Sequence, residues 1–207
     1  MVVPSLPPSP PDPDGPKPSI NAIAKEALRR SAMDARKAFV RSLSDGDRAL
    51  LEGRLAEHLT SLCAGVSVVG GYAPMGSEIS PLAAMEEARS VGAIVAFPAF
   101  AHPSKPFRFL AGDPSSSGPF GILQPKLSAP EVQPDLILVP LVAIDGRGTR
   151  VGRGKGHYDR VLGRLRRSGA RLVGIGWPIQ RLASTIPAEE WDVPLHAFAS
   201  PEGVELF

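Results

Sequence analysis

A run of alternating glycines and cations is the part of this sequence best suited to bind a ligand. The run lies within residues 145–160, DGRGTRVGRGKGHYDR. Its alternating members are Gly152, Arg153, Gly154, Lys155 and Gly156. Glycine tolerates positive φ and lets the backbone approach a ligand closely, so successive N–H groups can converge on an anion. The pattern predicts a phosphate-binding loop; a flexible surface turn is the alternative.

Two common nucleotide-binding motifs do not fit this run. The P-loop pattern G-x-x-x-x-G-K-[ST] would need glycine in place of Thr149, and serine or threonine in place of Gly156. The dinucleotide pattern G-x-G-x-x-G, started at Gly152, would need glycine in place of His157. The sequence therefore predicts a phosphate loop of another kind.

Positive charge is concentrated around the same loop. Residues 147–171 contain nine lysines or arginines and one acid, Asp159, although the whole chain has a net charge of only +2. Such a local excess suits a polyanionic ligand. Nucleic acid is a competing partner, but aromatic residues are only 6% of the chain and are not interleaved with the cations. We therefore expect a small phosphorylated ligand and no nucleic acid.

Three residues after the glycines have two readings each. Asp159 lies on the first turn of the next predicted helix, where the helix dipole favours an acid, but a carboxylate beside phosphates can also hold Mg²⁺. His157 and Tyr158 could pack against a planar ligand or simply anchor the core.

The loop lies between the strongest strand pattern, residues 135–145, and a helical pattern over residues 157–169. A strand that is apolar on both faces is typical of the centre of a parallel sheet covered by helices. Further strand patterns occupy residues 66–74, 94–100, 107–112 and 171–177, and one or two short strands are expected near the C-terminus. Further helical patterns occupy residues 21–42, 44–65 and 80–92, with Ser19, Ser44 and Ser80 among the candidate caps. This alternation predicts an α/β fold: a mostly parallel sheet flanked by helices, in a single domain over residues 20–207 that begins with two helices.

The composition narrows the class of protein. The chain has 207 residues, 43% of them hydrophobic, enough to bury a core. Its single cysteine, Cys63, excludes an intramolecular disulfide framework and is expected to be a small buried apolar residue. No apolar run is long enough to cross a membrane, and the N-terminus lacks the pattern of a signal peptide, so we expect a cytoplasmic protein.

Proline sets the first residues apart from the rest of the chain. Eight prolines fall within the first 18 residues, and proline cannot donate to a backbone ladder. We expect residues 1–19 to form a disordered tail; a spacer is favoured over a ligand for a proline-reading module.

Several short motifs, taken together, resemble one family. RVGRGKGHYDR, residues 150–160, resembles the glycine-rich signature of 5-formyltetrahydrofolate cyclo-ligases, also called methenyltetrahydrofolate synthetases. Other elements similar to that family follow its order: KEALR at 25–29, GGYAPMGSEIS at 70–80, GILQP at 121–125, GWPIQ at 176–180 and WDVPL at 191–195. Two positions depart from the pattern, since His157 replaces the first aromatic of a pair and His196 stands where a second aspartate is common.

The resemblance implies ATP-dependent closure of 5-formyltetrahydrofolate to 5,10-methenyltetrahydrofolate by a monomer that acts on small molecules, with Mg²⁺ as cofactor. The implied ATP-binding residues are Lys25, Arg29, Arg150, Val151, Gly152, Arg153, Gly154, Lys155, Gly156, His157 and Tyr158. The implied folate-binding residues are Ala73, Glu78, Arg153, Gly154, Lys155, Gly156 and His157. The implied catalytic residues are Arg153, Lys155 and Tyr158, and the implied metal ligands are Asp159 and Asp192.

Some of these residues have simpler readings. Taken alone, Lys25 and Arg29 could form a solvated helix face, Glu78 could be an acid at a helix start, and Asp192 could be a turn residue. Two other function classes also remain open. One is a non-catalytic module that binds a phosphorylated metabolite or RNA. The other is a sugar-phosphate isomerase, which would need a general base near the loop and no ATP.

Overall fold

The computed structural model describes residues 19–154 and 156–207. The predicted disordered tail, apart from Ser19, and Lys155 lie outside the described residues. The helices are α1 (Ile20–Ser42), α2 (Asp45–Cys63), α3 (Leu82–Ser90) and α4 (Asp159–Arg167). The strands are β1 (Val68–Gly70), β2 (Ile94–Ala99), β3 (Arg108–Ala111), β4 (Ser116–Ser117), β5 (Leu123–Gln124), β6 (Leu136–Pro140), β7 (Ala143–Ile144), β8 (Arg150–Val151), β9 (Arg171–Ile175), β10 (Ala197–Ser200) and β11 (Gly203–Leu206).

A seven-stranded sheet organises the chain, in the order β11-β10-β9-β6-β1-β2-β3. Its five inner strands pair in parallel, and β3 and β11 add antiparallel edges. The central strand β6 is buried on both faces. Leu136 and Leu138 pack into the core on one side, while Ile137 and Val139 pack into the core on the other. The predicted α/β class, with a mostly parallel sheet and two N-terminal helices, is confirmed.

The order of the strands determines where a ligand can bind. The chain passes from β1 outward to β2, then returns to place β6 on the opposite side of β1. Connections from β1 and β6 therefore leave the carboxyl edge of the sheet in opposite directions. Such a switch point opens a crevice, which is the usual ligand site of open α/β sheets. The segment containing Glu78 follows β1, and the glycine loop follows the short strands β7 and β8 that come after β6.

The long helix α1 lies across this region. Ser19 caps it, because its hydroxyl accepts a hydrogen bond from the Ala22 N–H, as the sequence predicted. Three apolar side chains of α1 pack against the β7–β8 region; they are Leu28, Ala32 and Met33. Ser44 caps α2 in the same way, through the Asp47 N–H. These caps fix the starts of α1 and α2.

The prediction of one strand over residues 135–145 is wrong. The chain forms β6, turns, and then forms β7, which pairs with β8 as a separate antiparallel hairpin. The break leaves the Leu141 carbonyl outside the sheet, where Arg36 and Gln180 donate to it. Both strands are buried, so the sequence shows one continuous apolar run across two elements.

Two smaller expectations can be compared with the structure directly. Cys63 lies in the core, 3% exposed, as predicted, and burial raises the pKa of its thiol to about 11. None of the helices within residues 19–154 and 156–207 combines the length and apolar character that crossing a membrane requires.

His196 joins two strands rather than occupying the site. Its Nδ1 accepts a hydrogen bond of 2.9 Å from the Leu172 N–H, which requires that nitrogen to be unprotonated. Burial lowers the pKa of His196, and the positive charges of Arg166 and Arg171 lower it further. The imidazole is therefore held neutral in the folded state.

We predict that His196 makes stability depend on pH. Its pKa is lower in the folded state, so between that value and about 6.5 the unfolded chain binds more protons and stability falls as the pH falls. Melting temperatures measured from pH 7.5 to pH 5 should fall less steeply with decreasing pH for His196→Asn than for the wild type. The asparagine keeps a hydrogen-bond acceptor that does not titrate. Equal slopes for the two proteins would contradict this role.

Candidate functional site

The glycine loop is held against helix α1. The Arg29 Nε donates to the Gly152 carbonyl at 2.8 Å, and the side chain of Arg29 also lies beside Gly154. Lys25, one turn earlier on the same helix face, forms an ion pair with Asp192. Both cations are largely buried, with side chains 11% and 16% exposed. A solvated helix face is therefore excluded for Lys25 and Arg29.

The other side of the loop reaches the segment after β1. The Arg153 Nη1 lies 3.6 Å from a carboxylate oxygen of Glu78, and the same nitrogen contacts the Met75 sulfur. Glu78 is 6% exposed, and its other oxygen accepts a 2.9 Å hydrogen bond from the Met75 N–H. Helix α3 begins only at Leu82, so Glu78 is not the helix-start acid that its sequence position also allowed.

Two carboxylates, Asp159 and Asp192, are each held by a buried cation, Arg150 for Asp159 and Lys25 for Asp192. Arg150 is 5% exposed; it donates 2.5 Å to Asp159 and 2.9 Å to the carbonyl of Val193, the neighbour of Asp192. Asp192 also accepts the Glu189 N–H. Among the residues that the structure describes, no three His, Cys, Asp or Glu side chains cluster as a metal cage. Two carboxylates still suit Mg²⁺, which commonly binds one or two carboxylates and completes its shell with phosphate and water.

Aromatic rings cluster next to the loop. The centroid of the His157 ring lies 5.0 Å from those of Phe100 and Phe120. Phe120 adopts φ +64°, a left-handed conformation that is uncommon for a bulky residue, and its ring is 41% exposed. Tyr158 packs on Phe107 at 5.0 Å. His157 thus belongs to a ring cluster that could accept a planar ligand, whereas Tyr158 anchors the core.

Two tyrosines near Glu78 stay protonated. Burial raises the pKa of Tyr72 and of Tyr158, and the negative charge of Glu78 raises both further. The Tyr72 hydroxyl donates to the Ile79 carbonyl at 2.7 Å. A neutral Tyr158 can donate a hydrogen bond but cannot serve as a general base near neutral pH.

The first half of the glycine-rich stretch has a structural role. Asp145, 1% exposed, accepts from the N–H groups of Arg147, Thr149 and Ile186 and so closes the β7–β8 turn. Arg147 also pairs with this carboxylate, so its charge serves the turn. Sequence reasoning missed Asp145; the signal was an aspartate at the start of a glycine-rich turn between two apolar runs.

The remaining predicted residues differ in accessibility. Val151 is fully buried, so only its backbone could meet ATP. Ala73 is half-buried in the segment after β1. Gly154 and Gly156 are exposed and have φ of +89° and +61°, whereas Gly152 lies outside the positive-φ region. Lys155 is outside the described residues.

A profile of the 5-formyltetrahydrofolate cyclo-ligase family matches residues 21–201. The chain belongs to this family. The match covers α1, the segment after β1, the glycine loop and the Asp192 segment, which are the parts that form the site.

Individual relatives agree with this assignment. A 5-formyltetrahydrofolate cyclo-ligase from Haemophilus influenzae is 39% identical over 92 residues, which is 42% of this chain and 49% of that protein. The match thus spans about half the length of that relative. A cyclo-ligase from Mycolicibacterium smegmatis is 28% identical over 86% of this chain and 94% of its own length. The solved Aquifex aeolicus 5,10-methenyltetrahydrofolate synthetase superposes with a TM-score of 0.69 at 26% identity, covering 88% of this chain and 92% of that one.

We predict that Gly154→Ala disrupts the loop while the fold persists. An alanine at φ +89° is strained by roughly 1–2 kcal/mol, and its Cβ would lie 3.2 Å from the Arg29 Cζ. The loop should shift away from α1. If the loop binds ATP, as the family resemblance implies, the ATP KM should rise and kcat should fall about tenfold or more.

Steady-state kinetics and circular dichroism check this prediction. The control is Gly53→Ala in α2, where the new Cβ meets nothing within 4 Å and activity should be unchanged. Full activity of Gly154→Ala would show that the loop is only a surface turn.

Proposed function

We propose that this chain catalyses the ATP-dependent cyclisation of 5-formyltetrahydrofolate to 5,10-methenyltetrahydrofolate, releasing ADP and phosphate. The observation that carries the proposal is the position of the glycine loop. It contacts Arg29 through Gly152 on one side and Glu78 through Arg153 on the other. The loop thus lies between the residues proposed for ATP and those proposed for folate.

The chemistry requires activation of a poor leaving group. In the proposed reaction the formyl oxygen attacks the γ-phosphorus of ATP, and the bond from that phosphorus to the ADP oxygen breaks. N10 of the folate then attacks the formyl carbon, and phosphate leaves with the former formyl oxygen. Loss of the N10 proton and formation of the C=N⁺ bond complete the methenyl product. Such transfer depends mainly on positioning and on stabilisation of charge.

The residues around the loop meet these requirements. Lys25 and Arg29 present positive charge from α1, and Arg153 carries another cation to the folate side. Exposed backbone at Gly154 and Gly156 can donate N–H groups to the transferring phosphoryl. Lys155, proposed from the sequence, would add a cation beside them.

Glu78 and the ring cluster fit the folate. A buried carboxylate can accept hydrogen bonds from the adjacent ring N–H and amino donors of a pterin. Phe100, Phe120 and His157 form a cluster of edge-to-face and tilted rings next to the loop, in which Phe120 is exposed and could contact a planar ligand. Ala73 would contribute backbone contacts from the same segment as Glu78.

Asp159 and Asp192 are the residues that would hold Mg²⁺. When bound, this ion would neutralise charge on the phosphates during transfer. The chain's own contribution is to hold the two carboxylates beside the loop through Arg150 and Lys25. Residues of α1, the loop and the Asp192 segment would thereby hold the ion and the phosphates together.

A direct assay tests the proposal. Purified protein, ATP, Mg²⁺ and 5-formyltetrahydrofolate should yield 5,10-methenyltetrahydrofolate, followed by its absorbance, with one ADP formed per product. Omitting ATP should abolish the signal. ATP-independent conversion, or no conversion with all components present, would reject the proposed function and favour a binding module.

We predict that Glu78→Gln weakens folate binding selectively. The amide keeps the shape but places a donor against pterin donors, a buried mismatch that costs roughly 1–3 kcal/mol. The folate KM should therefore rise between about fivefold and a hundredfold, and the ATP KM should change much less. Glu86→Gln on α3 is a matched control, since Glu86 is 68% exposed. A larger change in the ATP KM than in the folate KM would remove Glu78 from the folate pocket.

We predict that Asp159→Asn lowers kcat at least tenfold and raises the Mg²⁺ concentration needed for half-maximal rate. Asparagine is tolerated at a helix start and can still accept from Arg150, so the fold should persist. Asp113→Asn, at a side chain 71% exposed, is the control. A loss that is equal at every Mg²⁺ concentration would mean that Asp159 acts through Arg150 alone.

A further inference from the structure

A buried arginine lies beneath the Glu78 segment, where sequence reasoning placed no functional residue. Arg36 of α1 is only 2% exposed. Its Nε donates to the Ser77 hydroxyl at 3.0 Å, and its Nη1 donates to the Leu141 carbonyl at 3.2 Å. The guanidinium thus joins the residue before Glu78 to the carboxyl end of the central strand.

A polar network surrounds this arginine. The Trp177 Nε1 donates to the Ser77 carbonyl at 2.9 Å, and the Gln180 Nε2 donates to the Leu141 carbonyl at 2.7 Å. Gln180 in turn accepts the Trp177 N–H. The GWPIQ motif, which was noted in the sequence without a role, therefore holds the same two anchor points as Arg36.

The charge of Arg36 also acts on Glu78. Burial lowers the pKa of this guanidinium, and attraction to Glu78 opposes that shift. Removing an arginine from water is costly unless a partner charge and hydrogen bonds compensate. Glu78 thus has Arg153 of the exposed loop beside its carboxylate, while the buried Arg36 binds the hydroxyl of the preceding residue, Ser77.

We propose that Arg36 is a positioning residue for folate binding. Its hydrogen bonds to the Ser77 hydroxyl and the Leu141 carbonyl fix the turn that presents Glu78, whose carboxylate lies near Arg153 of the glycine loop. The proposal rests on the proposed function, because it assumes that Glu78 meets the pterin. It assigns to a core arginine an effect on one substrate and not on the other.

Two variants of Arg36 test this assignment. Arg36→Met keeps the apolar stem and removes the charge. Arg36→Lys keeps the charge but loses the planar guanidinium, which donates through both Nε and Nη1. We expect the folate KM, and the Kd for 5-formyltetrahydrofolate by equilibrium dialysis, to rise about tenfold in Arg36→Met, with partial recovery in Arg36→Lys. The ATP KM should stay within about twofold of wild type. Leu59→Ala, a fully buried residue of α2, is the control for general destabilisation and should change neither KM.

A double-mutant cycle separates action through Glu78 from independent action. If Arg36 works through Glu78, the Arg36→Met/Glu78→Gln protein should bind folate no worse than Glu78→Gln alone. The proposal would be overturned if the double variant lost folate affinity by the product of the two single losses. Equal rises in the folate KM and the ATP KM would also overturn it. If Arg36→Met does not fold, the same cycle with Arg36→Lys gives the answer. An inactive wild type would reject the proposed function, whereas an active wild type with unchanged folate binding in the Arg36 variants would reject this inference alone.

Discussion

The hydrogen bond between the Arg29 guanidinium and the Gly152 carbonyl fixes the glycine loop against α1, and the rest of the site depends on it. Ordering a loop rich in glycine has a large entropic cost, so the loop needs contacts that hold it. The contact between Arg153 and Glu78 holds the next residue from the other side. After these two residues, the exposed backbone at Gly154 and Gly156 is available to an anion.

The fold explains why these contacts can form. The switch of direction between β1 and β6 opens the crevice, and α1 crosses the same edge of the sheet. Charge is arranged around this crevice in pairs, since Lys25 meets Asp192 and Arg150 meets Asp159. Burying such charges is tolerable because each has a partner. A phosphate-bearing ligand would enter a site whose cations are already held in place.

The sequence predicted the parts of the molecule that depend on local pattern. The parallel sheet, the helix caps at Ser19 and Ser44, and the glycine loop between a buried strand and a helix all follow from periodicity and residue type. The hairpin of β7 and β8 could not be predicted, because both sides of the break are apolar and buried. Period and hydrophobicity do not distinguish one long buried strand from two short ones.

Long-range contacts account for what was missed in the site. Arg36 looks like any charged residue of an amphipathic helix, and only its distant partners Ser77 and Leu141 reveal its burial. The sequence resemblance led us to expect an aspartate where His196 stands, yet the His196 imidazole accepts the Leu172 N–H and joins two strands. Such roles depend on which segments meet in space, which spacing along the chain does not show.

In the proposed reaction, the glycine loop brings the γ-phosphoryl of ATP to the formyl oxygen of the folate. The most direct measurement uses 5-formyltetrahydrofolate labelled with ¹⁸O in the formyl group and mass analysis of the phosphate released during turnover. If the formyl oxygen is phosphorylated, each phosphate should carry one ¹⁸O atom. Methenyl product formed together with unlabelled phosphate would contradict the account, because the formyl oxygen would then have left by another route.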